Sequence, residues 1–401
     1  MMPYVLDWLN LLMRWFHITA GISWIGASFY FVWLDNNLLP AKDPADTANG
    51  VSGELWSVHG GGFYHNQKYP TGPRREPLTE HLHWFKWEAY STWLSGMAML
   101  AIVYWSSAST LLIDKSVLDL SPPQAIGISI ASIVLGWMIY DALCKVLERN
   151  PIALGVAVYA FLVLAAWGLF HVFGARAAYI HVGAIIGTIM VANVSHVIIP
   201  GQRKMLAQIR RGEEPDPRPG LLGKMRSVHN TYFTLPVLFT MISNHYPMTY
   251  GSAFGWEALA ILSLASILVR QFFLLTHKQR YVPWLLIGAG LLVIVVALAL
   301  APRPAAVSKT VTFADVQPIF KLRCAVCHAE HPMQAGFTSA PEGVLLDTPE
   351  HIKDNAARIE AQAVLTQNMP LGNLTNMTKD ERTQIGAWIS EGAKIEGAKQ
   401  P

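Results

Sequence analysis

The stretch Cys324-Ala325-Val326-Cys327-His328 sets two thiols three positions apart and an imidazole directly after them. This is C-x-x-C-H, the attachment signature of a c-type haem. The thiols add to the two vinyl groups of one porphyrin, and the histidine comes up beneath the iron as its proximal ligand. Farther along, Met369 in Asn368-Met369-Pro370 offers a distal thioether from a loop. Met333 and Met377 are its rivals; the first follows His328 too closely to reach round the ring easily, and the second stands beside a helix start. A Met/His pair raises the iron's reduction potential, so the centre would accept electrons rather than bind oxygen. A disulfide or half of a zinc site is the competing reading, but no second C-x-x-C and no suitable histidine pair follows.

A second concentration of functional groups lies between residues 50 and 88. It reads Trp56-Ser57-Val58-His59-Gly60-Gly61-Gly62-Phe63-Tyr64-His65, then Gln67, Arg74 and Arg75, then Glu80-His81-Leu82-His83-Trp84-Phe85-Lys86-Trp87-Glu88. Three glycines permit tight backbone turns. Aromatic rings beside imidazole, amide and guanidinium groups suit a flat, polar, weakly acidic molecule, with rings on its face and donors at its edge. The plainer reading is an interfacial aromatic belt followed by a turn. No Lys-Ser/Thr follows the glycines, so this is not a phosphate loop.

The elements that must position these groups are helices in an apolar setting. The chain has 401 residues, 52% hydrophobic and 14% charged, and soluble proteins carry nearly twice that charged fraction. Eight apolar segments are long enough to be transmembrane helices, at 8–34, 88–106, 123–144, 152–173, 177–200, 229–245, 253–276 and 282–300. The first lacks a basic leader and a small-residue cleavage site and is too long for a signal peptide, so it is read as a retained span. The sixth is short and interrupted by Pro236. The predicted fold is therefore all-α: a polytopic membrane helix bundle over 1–300, a stiff Pro-rich linker over 301–309, and a small soluble c-type cytochrome domain over 310–401. In that tail, helices are expected from Val311 to Leu322 and from Lys379 to Ala393, the latter with Ile385, Trp388 and Ile389 on one face. Cys144 sits alone in an apolar run and reads as an inert core residue. The net charge of +3 is small and gives no reason to expect nucleic acid.

Haem attachment to C-x-x-C-H is extracytoplasmic in c-type cytochromes, so the tail belongs outside, and eight spans put the N-terminus outside as well. Charge agrees. The loops placed inside carry most of the Lys and Arg, whereas the short outside loops hold only Lys115 and Arg176. In this topology His17, His171, His181 and His245 fall in the outer half, and His59, His65, His81, His83, His196, His229 and His277 in or near the inner half. Imidazoles inside a bilayer are costly and often functional. His17 and His181 both stand among small residues that admit a flat ring, which makes them candidate ligands for a haem b in the membrane. Arg14, one turn before His17, could meet a propionate or an anionic substrate. For any single histidine, a hydrogen bond to a neighbouring helix is the simpler expectation.

The two motifs of the 56–90 stretch, eight spans and a C-x-x-C-H tail together resemble the bacterial membrane-bound urate oxidase (urate hydroxylase) family that uses its own cytochrome c. The resemblance covers nearly the whole chain. It implies oxidation of urate to 5-hydroxyisourate with water as oxygen source. Electrons would leave through haem c to a terminal oxidase or a soluble cytochrome. The implied location is the bacterial inner membrane, with the cytochrome domain in the periplasm. Such chemistry needs a base, for which a neutral histidine is suited near pH 7. His59, His65, His81 and His83 are the candidates, with Gln67 or Arg74 holding urate's oxygens. These groups lie on the inner side, and ~30 Å of hydrocarbon separates them from an outer haem. A membrane haem on His17 and His181 would relay electrons; a deeper loop or a different topology are the alternatives. Two other classes stay open: an electron-transfer subunit between a partner dehydrogenase and a terminal oxidase, and a haem or metal transporter carrying a cytochrome sensor.

Overall fold

Every one of the eight apolar segments is helical in the structure, a computed structural model that describes residues 2–75, 77–301, 310–334 and 337–395. Four helices are long and apolar enough to cross a membrane: Pro122–Val146, Pro151–Phe170, the run Ala175–Arg210, and Gly255–His277. Trp284–Ala299 is as apolar but shorter, at 16 residues. Many large apolar side chains on these helices face outward, including Ile130, Val134, Leu135, Val156, Leu164, Leu291 and Leu298. Water would penalise such a surface, whereas hydrocarbon accepts it.

The centre of the bundle is the Ala175–Ala192 helix, whose Tyr179, His181, Ile185, Ile186 and Ile189 are all buried. Small residues let its neighbours come close. A methyl at Gly136 would lie 2.6 Å from Ile185, and Gly183 faces Thr240 with no room for a side chain. Small residues at such positions let helix backbones approach closely.

Several boundaries differ from the expected ones. The first helix runs from Met2 to Asn37. The fifth does not stop at residue 200. It passes through a π-helical turn, Asn193–Ile198, and continues as an amphipathic helix, Ile199–Arg210. The sixth begins at Arg218, well before 229, and runs unbroken through Pro236 to Ile242. Polar residues in its first half masked its length from an apolar-run criterion.

The all-α expectation is corrected in the loop after the first helix. Gly53–His59 and Gly62–Lys68 pair as an antiparallel hairpin, with Trp56 opposite His65 and His59 opposite Gly62. Gly60 and Gly61 both have positive φ, 59° and 83°, as a two-residue hairpin turn with left-handed central residues demands. Aromatic and β-branched residues flank that turn, which favours strand over helix.

The C-terminal unit has a core of its own, built from Phe313, Val316, Phe320, Leu346, Ile352, Ile359, Ile385 and Trp388. Its first helix is Phe313–Arg323 and its last Lys379–Ser390. They are tied by Arg323, whose Nε and Nη2 donate to Glu381 Oε1 at 3.1 and 3.0 Å. Residues 302–309 of the expected linker lie outside the described residues.

Candidate functional site

The C-x-x-C-H stretch opens directly after the Phe313–Arg323 helix, with Cys324 as its C-cap. Both thiols are free; Cys324 is buried and Cys327 half-buried. Burial pushes the Cys324 thiol up to about 12 and raises that of Cys327 as well. The described residues contain no group of three or more His, Cys, Asp or Glu able to hold a metal ion.

His328 is held in a specific tautomer. Its Nδ1–H donates to the Val344 carbonyl at 2.9 Å, and its own carbonyl accepts from Leu346 N–H at 2.7 Å. This leaves Nε2 with the lone pair, and a backbone partner behind the ring is the usual way a metal-binding imidazole is oriented. Asp347 secures the same loop by accepting from Glu330 N–H at 3.3 Å and from His351 at 2.7 Å. The His351 contact, ahead of the opposing effect of burial, holds the Asp347 carboxyl below its ordinary value.

Of the three methionines, Met333 is 82% exposed and does not belong to the core around Cys324. Met377 is buried in that core and Met369 packs against it. The Met369 segment is clamped by Arg382, which donates to the carbonyls of Met369, at 2.6 Å, and Ala363. The donor set (two neutral thiols, one imidazole with a free Nε2, and thioethers on the same core) fits a covalent haem.

The C-terminal unit meets the bundle through this methionine loop. A methyl at Gly372 would lie 2.7 Å from the Ile113 carbonyl and 3.1 Å from that of Thr110. Gly251 packs directly on the Thr366 carbonyl. Asp114 interacts with Arg382, so the guanidinium that clamps Met369 also faces the body. Just beneath, Asn244 Oδ1 accepts from Tyr104 Oη and from Arg176 Nε, both at 3.1 Å. Apart from Met369 and Arg176, the residues of this junction did not stand out in the sequence. Tyr104 and Asn244 are 140 positions apart, so no local pattern signals the pairing.

The histidines are spread over separate environments. His17 Nδ1 lies 3.0 Å from the Thr92 carbonyl and from Ser95 Oγ, and its ring fills the space opposite Gly96. His181 is fully buried, with Nδ1 bound to the Ala177 carbonyl at 2.7 Å and Nε2 to Ser129 Oγ at 2.6 Å. Both nitrogens of His181 thus have hydrogen-bond partners. His171 and His196 likewise bond locally, to the Trp167 carbonyl and to Ser195.

The hairpin candidates are all on the surface. His59 sits at the exposed tip, and His81, His83 and Arg74 are exposed as well. His65 bonds Glu54 at 2.8 Å and stacks on Trp56 with ring centroids 4.3 Å apart. Gln67 is occupied at both ends, donating to Asp46 Oδ2 and accepting from Tyr69 Oη. His83 packs edge-on against Phe85. The structure therefore gives these groups separate contacts and does not gather them round one ligand-sized space.

A buried polar network not anticipated as a unit joins three helices. Tyr140 Oη bonds His229 Nδ1 at 2.8 Å and accepts from Asn193, which also donates to Asn230. Arg226 donates to Asp141 at 2.6 Å and to Asn193 at 3.3 Å. Cys144 packs 3.9 Å from His229 as a buried core residue. The network is closed on itself, and its charge is balanced by Asp141.

Compared with known proteins, a family model described as urate oxidase N-terminal matches residues 3–301. Searches of curated proteins and of solved structures each gave no match.

Proposed function

The chain belongs to the urate oxidase N-terminal family, and from that premise we propose that it is a membrane-bound urate oxidase that passes electrons to a haem c carried on its own tail. The reaction would be urate plus water to 5-hydroxyisourate, releasing two electrons and two protons. The electrons leave for a terminal oxidase or a soluble cytochrome, which closes the redox balance. The eight helices form an eight-span body in the bacterial inner membrane, with both the N-terminus and the cytochrome domain in the periplasm.

The observation that carries the redox half is His328, held by Val344 with Nε2 left free directly after two neutral thiols. Cys324 and Cys327 would hold the porphyrin, His328 and Met369 its iron. A haem bound there supplies one-electron acceptance at raised potential. Arg382 keeps the Met369 loop in place through two carbonyls and turns the same guanidinium toward Asp114 of the body. The docking of that loop on turns 109–113 and 251 supports a short route from body to tail.

The test is an anaerobic spectrum of the purified full chain before and after urate. Appearance of the reduced c-type band together with 5-hydroxyisourate is the expected result. A haem that stays oxidised with urate alone, yet is reduced through an added dehydrogenase, would make the chain an electron-transfer subunit instead.

A further inference from the structure

We propose that the urate anion is held at the outer end of the bundle, beneath the C-terminal unit, by Arg176, Asn244, Tyr104 and Tyr250 with Arg14 at the margin. This rests on the urate reading above and changes where in the molecule the substrate is bound.

The first argument is charge. Among the described residues no carboxylate lies within ion-pair distance of Arg176 or Arg14, although both are half-buried. Arg14 donates to Asn10 Oδ1 at 3.2 Å and interacts with Tyr104. The contrast is Arg226, which is deeper but neutralised by Asp141 at 2.6 Å. Arg176 also stands in the first turn of the Ala175–Ala192 helix, where unpaired N–H groups add positive potential. A guanidinium held by a neutral amide keeps its remaining donors for a planar anion.

The second argument is shape and polarity. Asn244 Oδ1 fixes Tyr104 Oη and Arg176 Nε at equal 3.1 Å distances. Tyr104 and Tyr250 are 5% and 3% exposed, and Arg176 interacts with both. Rings with hydroxyl handles beside a guanidinium match a flat heterocycle that carries carbonyl oxygens and ring N–H groups on its edge. Urate is such a molecule, and it is an anion at neutral pH.

The third argument is position. Tyr250 adjoins Gly251, which packs on the Thr366 carbonyl, three residues before Met369. Substrate at Arg176 would face the segment that carries the proposed iron ligand. Substrate at the hairpin would leave ~30 Å of hydrocarbon to cross.

The experiment is equilibrium binding of radiolabelled urate to the detergent-solubilised full chain, with the haem spectrum confirming an intact tail. Arg176→Met should weaken binding by ~30-fold or more, as truncation of one partner of a hydrogen-bonded charge pair does. Arg176→Lys, which keeps the charge but not the planar fork, should fall between and covers the case where the Met variant does not fold. Arg270→Met should bind as wild type, although Arg270 is a buried arginine whose Nε and Nη2 have no hydrogen-bond partner among the described residues. Wild-type affinity in both Arg176 variants overturns the proposal, as does loss of binding in Arg74→Met or Arg270→Met with Arg176→Met unaffected. No urate binding by the wild-type chain would instead overturn the urate reading itself.

Discussion

Replacing Gly251 with alanine tests whether the contact between body and tail carries electrons. The residue has φ −81°, so alanine meets no backbone strain there. Its methyl, however, would overlap the Thr366 carbonyl oxygen and lie 2.8 Å from the carbonyl carbon and 2.9 Å from the Pro247 oxygen. Carbon atoms pack at roughly 3.5–4.0 Å, so something must move by ~1 Å. Thr366 cannot easily swing aside, because its N–H and hydroxyl both bond the Ala361 carbonyl, at 3.2 and 2.7 Å. The strain then resolves by lifting the tail from the turn. Overpacking of this kind costs about 1–3 kcal/mol. At 1.4 kcal/mol per factor of ten, the docking equilibrium constant falls by about 5- to 150-fold. Rapid mixing of oxidised protein with urate, followed at the reduced c band, should show a slowing within that range. Reduction by a small diffusible reductant should be unchanged, since the tail itself is untouched. Gly372→Ala approaches the same contact from the other side, with clashes on three body carbonyls. Wild-type urate-driven rates in both variants would show that the junction is not the electron route.

Cys324→Ala should abolish stable covalent haem, seen as loss of the c-type band and of haem mass from the denatured chain. Asp141→Asn leaves the buried Arg226 without its counter-charge, and should cost about 3 kcal/mol of stability in detergent unfolding; Lys145→Ala, on the exposed side of the same carboxylate, should cost less than ~1 kcal/mol. The hairpin should loosen in acid. The Lys42 N–H, then His65, hold Glu54 below its ordinary value, so this carboxylate's support is complete above the unfolded value of ~4.3 and disappears as pH falls through the lowered native one. Fluorescence of Trp56, isolated as the difference between wild type and Trp56→Phe, should change in that acid window and stay flat above it.

Some of this was legible in the linear sequence and some was not. The helices of the body followed from apolar runs, but their ends did not. Arg218 to Val228 is polar at its start, so an apolar-run criterion does not see that the helix begins there. The hairpin was written in Gly60-Gly61 between aromatic runs, but the pairing of Trp56 with His65 joins residues nine positions apart that no single motif marks. His181 looked available because its neighbours are small. Its Nε2 meets Ser129, 52 positions away, a pairing that no local pattern signals. The hairpin histidines were close in number but face separate partners, since strand pairing opposes His65 to Trp56 and sends His59 to the tip.

What the sequence determined by itself is whatever depends on neighbours along the chain: apolar length, the thiol-thiol-imidazole spacing at 324–328, and the charge bias of short loops. Those features act over a few residues, so order alone expresses them. The tertiary structure decided which distant groups meet. It bonded Arg176 to Asn244 and Tyr104, closed His181 on Ser129, and set the Met369 loop on the turn around Ile113. Each of these contacts joins residues tens of positions or more apart. Their partners are selected by how whole helices pack, and no spacing rule records that choice.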